Sequence, residues 1–202
     1  MRDHWWWRPG WGPGRRLYTW HVTFADVPAV QELAAAAQAR LGGLDSIDLV
    51  PGRWLHLTTQ GVGFADEITD AELAAITGAV SARLAVLEPV PVTIGPALVV
   101  SEGIVCLVAP DNALTPMRDA IRSAIADVRG AQRVPDGPAW APHVSIAYSS
   151  SDGPADAFEA ALDGDDAVAV MTVDAIKLIR LGRDQRVYEW ETLASVPLGT
   201  RP

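Results

Sequence analysis

Two short segments of this chain carry residues able to move a proton beside an anion. Trp54-Leu-His-Leu-Thr58 holds His56 and Thr58, and Pro142-His-Val-Ser-Ile-Ala-Tyr148 holds His143 and Ser145. Both segments read as strands, in which residues i and i+2 project to one face. Each histidine therefore shares a face with a hydroxyl, while Leu57 and Val144 between them point into the core. An imidazole transfers protons near neutral pH, and a hydroxyl donates to an anionic oxygen. Two such units facing one cleft supply a base, an acid and two anchoring donors, the set a phosphodiester needs when a nucleophile enters on one side and an alcohol leaves on the other. One such pattern is weak evidence, and two in strands with apolar flanks are considerably stronger. A third match, His21-Val-Thr23, makes His21 an accessory candidate, or else a half-buried structural histidine. His4 reads as incidental.

The elements that must position these residues alternate along the chain. Leu17 to Phe24 is rich in β-branched and aromatic residues and predicts a first strand. Asp26 as a cap and Pro28 in the first turn predict a helix through Leu41, ended by Gly42 and Gly43. A strand near Ile47 to Val50, a Pro51-Gly52 turn and the first histidine strand follow. Thr69-Asp-Ala-Glu72 has capping-box spacing, and a helix runs from Asp70 to about Leu87. The second half repeats this plan: strands near Pro91 to Leu98 and Ile104 to Val108, a helix begun by Asp111 or Thr115-Pro116 and reaching about Val128, a loop from Gly130 to Pro138, then the second histidine strand. A short helix near Ala155 to Ala161 precedes two closing strands, Val168 to Leu181 and Arg186 to Ala194, around a Gly182-Arg183-Asp184-Gln185 turn. The pattern predicts an α+β chain of two lobes.

Residues 1–15 stand apart. Trp5, Trp6, Trp7 and Trp11 alternate with arginine, proline and glycine, which forbid a regular helix or central strand. Four tryptophans are costly to leave in water, so this arm is expected to pack on the body (residues 16–202). It either covers an apolar surface or offers a stacking platform for a base.

Composition narrows the function classes. At 202 residues with 49% hydrophobic residues, the chain can bury a core. No apolar run reaches the roughly 18 residues of a membrane helix, and the first residues lack a secretory leader's pattern, so a cytoplasmic protein is expected. The lone Cys106 sits in an apolar run and reads as a buried, inert thiol. A net charge of −9 argues against general nucleic-acid binding, though not against a small phosphodiester or an RNA terminus. Lys177 is the only lysine, and Arg53, Arg180 and Arg183 are candidates for phosphate contact. No third ligand at a convincing spacing suggests a metal.

Arg53-Trp-Leu-His-Leu-Thr-Thr-Gln60 and Pro142-His-Val-Ser-Ile-Ala-Tyr148 together resemble the paired motifs of the 2H phosphoesterase superfamily, in its branch named for 2′-5′ RNA ligases and RNA 2′,3′-cyclic phosphodiesterases. The order of elements is also similar, from about Arg16 to Gly199. This resemblance implies a bilobal fold with two antiparallel sheets forming a V-shaped cleft and helices outside. It implies His56 and His143 as the acid/base pair and Thr58 and Ser145 as phosphate ligands; beside them, His21, Arg53, Tyr148 and Arg180 are accessory candidates. No cofactor or metal is implied. The expected partner is a small cyclic phosphodiester or an RNA terminus, and a monomer is expected. Polar Thr59, where an apolar residue is common, and the acidic charge depart from the family pattern. The expected reaction is one-step hydrolysis, with one histidine activating water and the other protonating the leaving ribose oxygen. A non-catalytic nucleotide-binding module and a purely structural domain are the alternatives.

Overall fold

The computed structural model describes residues 1–135 and 140–199. Among these residues nine strands build two sheets. The first has the order β3 (His56–Phe64), β1 (Leu17–Thr23), β8 (Ala175–Gly182) and β9 (Glu189–Pro197). The second has the order β2 (Ile47–Leu49), β6 (His143–Ser149), β5 (Gly103–Ala109), β4 (Val90–Val100) and β7 (Ala169–Val173). Every neighbouring pair is antiparallel. The α+β class and the two antiparallel sheets agree with the sequence reading.

Helices cover the outer faces. α2 (Asp70–Leu84) and α3 (Thr115–Arg129) pack on each other and reach β9 and β3, while α1 (Pro28–Arg40) and α4 (Asp156–Leu162) lie over the second sheet. In α3, Met117, Ile121, Ala124 and Ile125 fall on one helical stripe and are buried. Thr69 and Glu72 form the expected capping box. Asp26, expected to cap α1, does not: the cap position is Val27 with no side-chain bond, and Pro28 opens the helix. The core runs through Trp20, Phe24, Leu57, Ile76, Ile104 and Ile121. Buried Cys106 belongs to it, and burial pushes its thiol up to about 12, as suits an inert residue.

The sequence halves do not coincide with the sheets. β2 comes from the first half but pairs with β6, and β8 and β9 come from the second half but complete the sheet of β1 and β3. The expected single strand from Val168 to Leu181 is in fact two. β7 ends at Val173 after pairing with β4, and β8 begins at Ala175 against β1. The chain changes sheets at Asp174 with no glycine or proline to mark the step, so the alternation reads as continuous. β3 also runs beyond the expected Thr58 to Phe64, across Gly61 and Gly63. A side chain at Gly63 would come within 2.7 Å of Arg129 Nη1. The loop after α3 opens with a 3-10 turn at Ala131–Arg133, and its last expected residues lie outside the described ones. Among the described residues no helix is long and apolar enough to cross a membrane.

Candidate active site

The two sheets meet at a cleft of about 290 Å³ lined by His21, His56, Thr58, His143, Ser145 and Tyr148, together with His4, Trp11 and Tyr188. Both histidine–hydroxyl units thus open onto one space, His56 and Thr58 from β3 and His143 and Ser145 from β6. Leu57 and Val144 are buried behind them, as alternation requires.

Each motif strand carries a bulge immediately after its hydroxyl residue. Gln60 pairs with Trp20 and Thr58 with His21, so Thr59 is an extra residue in β3. Ala147 pairs with Ile104 and Ser145 with Val105, so Ile146 is the extra residue in β6. A bulge shifts the alternation by one residue. It lets Thr58 and Gly61 share the cleft, and Ser145 and Tyr148 likewise, although residues i and i+3 of a regular strand face opposite ways. Thr59, the departure noted in the sequence, fills the bulge at 1% exposure, and its hydroxyl has no partner among the described residues. Its carbonyl accepts from Arg118 Nε at 3.2 Å, and the carbonyl of Thr58 accepts from Trp140 Nε1 at 3.1 Å.

Both imidazoles are oriented in one way. His56 Nδ1 lies 2.8 Å from the Trp54 carbonyl, and His143 Nδ1 lies 2.8 Å from the Ala141 carbonyl. A carbonyl can only accept, so Nδ1 carries a hydrogen in each ring and Nε2 is the nitrogen left to take up or give a proton. Their settings differ. His56 is 7% exposed and His143 stands exposed at the cleft edge. Burial pushes His56 down to about 4, against the opposing effect of its bond to Trp54 and with a smaller push from His143.

His21 lies behind this pair. Its Nε2 is 3.1 Å from Thr58 Oγ1, while its Nδ1 is buried without a partner among the described residues. A buried bare N–H is rarer than a buried lone pair, so the hydrogen belongs on Nε2, donated to Thr58. That leaves the Thr58 O–H free to donate into the cleft. Trp190 closes the group edge-on, 5.2 Å from His56 and 5.8 Å from His21 between ring centroids.

The arginine candidates lie elsewhere. Arg53 sits over the Trp54 ring, and Arg180 pairs with Glu191 at 2.6 Å, both away from the cleft lining. Arg183 is 3% exposed and donates to the carbonyls of His4 at 3.0 Å and Trp6 at 3.4 Å, so it clamps the arm. The arm packs on the body as expected, yet Trp6 and Trp7 remain 47% and 50% exposed. His4 is not incidental. It is buried in the cleft wall, stacked on Tyr148 with ring centroids 4.1 Å apart. No local pattern marks His4, Trp11 or Tyr188 in the sequence, because the arm and the β8–β9 hairpin reach the cleft only through the tertiary fold.

Comparison with known proteins agrees with this fold. A search of curated proteins found no match. Solved structures share the fold: TT0787 of Thermus thermophilus is 21% identical, covering 92% of this chain and 100% of its own with a TM-score of 0.67. E. coli LigT in apo form is 14% identical, covering 92% and 99%, also with a TM-score of 0.67, and LigT has been crystallised with 3′-AMP and with phosphate. The PDE domain of MHV ns2 is 12% identical over 83% and 99%, with a TM-score of 0.56. At the level of sequence, the family described as the 2′-5′ RNA ligase superfamily matches residues 26–185, most of the chain and both histidine motifs. The chain belongs to the 2′-5′ RNA ligase superfamily.

Proposed function

We propose that this protein is a phosphodiesterase that hydrolyses a 2′,3′-cyclic phosphate or a related small cyclic phosphodiester by two-histidine acid/base catalysis, with 2′-5′ RNA ligation following from the same chemistry when a 5′-hydroxyl takes the place of water as nucleophile. The observation that carries this reading is the matched orientation of His56 and His143. Each imidazole gives its Nδ1 hydrogen to a carbonyl two residues earlier and keeps Nε2 for the cleft. The nucleotide and phosphate complexes of LigT support the ligand class.

In this mechanism the buried His56, held neutral, takes a proton from water as it attacks phosphorus. His143, more accessible at the edge and entering the reaction protonated on both nitrogens, gives its Nε2 proton to the departing ribose oxygen. A bound phosphodiester anion favours imidazolium and so opposes the effect of burial on His56. Thr58 and Ser145 donate to the non-bridging oxygens as their charge grows. This chemistry calls on no metal: acid, base and anion ligands all come from side chains.

The test is turnover of a panel of nucleoside 2′,3′-cyclic phosphates and 2′-5′-linked dinucleotides by the wild type, His56→Ala and His143→Ala. Each substitution should lower kcat by about 10² to 10⁴, the usual contribution of a general acid or base. Full activity in either variant defeats the assignment. Tight binding of these ligands without turnover by the wild type would make the cleft a binding module instead.

A further inference from the structure

The matched family region begins at residue 26, yet a residue of the arm forms part of the cleft wall. The nitrogens of His4 both have partners. Nδ1 lies 3.2 Å from Glu102 Oε2, and Nε2 lies 3.0 Å from the Tyr188 hydroxyl. Glu102 also accepts from Arg8 Nη2 at 2.5 Å and from Trp6 Nε1 at 3.3 Å. These donors hold it as a carboxylate below its ordinary range. Arg8 Nη2 comes within 3.4 Å of His4 Nδ1 as well, but its shorter bond goes to Glu102.

The hydrogens follow from this arrangement. A carboxylate only accepts, so His4 Nδ1 carries the hydrogen toward Glu102. Burial, Arg8 and Arg183 together push His4 down to about 4, so the ring is neutral and its Nε2 is a bare acceptor. Tyr188 must then donate its only hydrogen to His4. Arg8 approaches the Tyr188 oxygen as a second donor, and one lone pair is left. Tyr188 lines the cleft beside His56, with ring centroids 6.1 Å apart. An oxygen that can only accept repels a phosphate oxygen and suits a hydroxyl.

We propose that the chain Glu102–His4–Tyr188 forms a hydroxyl-reading subsite in the cleft, in which His4 positions the Tyr188 hydrogen away from the ligand so that the oxygen accepts from the ribose hydroxyl freed beside the phosphate when the cyclic ester opens. The ligand class is a ribonucleoside monophosphate carrying that neighbouring hydroxyl, as against its deoxy counterpart. This rests on the phosphodiesterase reading of the same cleft and adds recognition of its product. Tyr188 touches the ligand, while His4 and Glu102 are positioning residues.

The experiment compares equilibrium binding of adenosine 3′-monophosphate and 2′-deoxyadenosine 3′-monophosphate by calorimetry. Neither ligand has an ester to be hydrolysed in the proposed reaction, so binding is read apart from turnover. The wild type should prefer the ribonucleotide by roughly 3- to 10-fold, the effect of one hydrogen bond. Tyr188→Phe should bring the ratio to about one. His4→Phe keeps the stack on Tyr148 but frees the Tyr188 hydrogen, and should do the same. His4→Gln, whose amide oxygen can accept from Tyr188, should restore part of the preference. Equal binding of the two ligands by the wild type, or an unchanged ratio in Tyr188→Phe, overturns the subsite while cyclic-phosphate turnover still supports the parent reading. Failure of both ligands to bind, with no turnover of any cyclic phosphate, removes both.

Discussion

His21 lies flat against His56, with ring centroids 4.5 Å apart and planes within 4°. Two stacked, buried imidazoles resist charging, since a cation on either loses its hydration and would repel a charge on the other. Burial accordingly pushes His56 down to about 4, and burial with a contribution from His56 pushes His21 well below its ordinary value. His21→Ala should admit water to the flank of His56 and relieve part of this penalty. The titration midpoint of His56, followed by NMR through its ring protons, should rise from about 4 toward the unperturbed value of about 6.5. An unchanged midpoint would show that other neighbours, Trp190 first among them, keep His56 dry.

Thr58 is the anion ligand whose hydrogen the surrounding bonds assign. Because His21 donates to its oxygen, its own hydrogen is free for a phosphate. Thr58→Val preserves shape and removes that donor. Loss of one preorganised donor to a developing oxyanion should lower kcat by roughly 10²-fold to 10³-fold with the fold intact, and Thr58→Ser should recover most of it. Wild-type kcat in the valine variant would assign the phosphate to other donors.

Much of this site was readable in the residues, and the limits have physical causes. His56, Thr58, His143 and Ser145 share a cleft because alternation in a strand is a local rule, and Leu57 and Val144 mark the buried face. The bulges at Thr59 and Ile146 were not readable, since an extra residue leaves no compositional trace when it is itself buried. Without them Tyr148 would face away from Ser145. The sheet change at Asp174 was hidden for a related reason: both sheets impose the same period of two. His4 entered through the arm, whose path is set by Arg183 and Glu102 at distant positions. Arg53 and Arg180 looked available only because sequence does not reveal Trp54 or Glu191 as their partners.

Buried neutral histidines also fix how stability responds to acid. His4 and His56 are each pushed down to about 4, and His21 is lowered in the same direction. Below about pH 6.5 the unfolded chain binds a proton at each of these sites while the folded chain does not. The folded state therefore has its full stability from these groups above about pH 6.5 and loses it as pH falls toward about 4. Each such proton contributes a slope of about 1.4 kcal/mol per pH unit. Chemical denaturation at several pH values between 4.5 and 7 should show the decline, and His56→Gln should reduce its slope by about one proton. A slope equal to that of the wild type would mean that His56 becomes charged without unfolding.

Arg183 ties the arm to the body. Its guanidinium donates to the His4 and Trp6 carbonyls and packs 5.3 Å from the Trp5 ring and 5.5 Å from the Tyr188 ring, almost wholly out of solvent. Two further backbone ties of the arm, Arg2 to Ser101 at 2.7 Å and His4 to Ser149 at 2.9 Å, lie beside this clamp. Arg183→Met keeps much of the apolar stem and removes both donors, leaving two carbonyls unpaired, a loss of about 2 kcal/mol in arm docking. Hydrogen exchange should then quicken at the amides of Arg2 and His4, while amides of β1 around Trp20 stay protected, because the sheet core does not depend on the arm. The same variant should lose the ribose preference along with the arm, since His4 leaves Tyr188 when its carbonyl is released. Slow exchange at His4 in Arg183→Met would show instead that Glu102 and the Tyr148 stack suffice to hold the ring in the cleft.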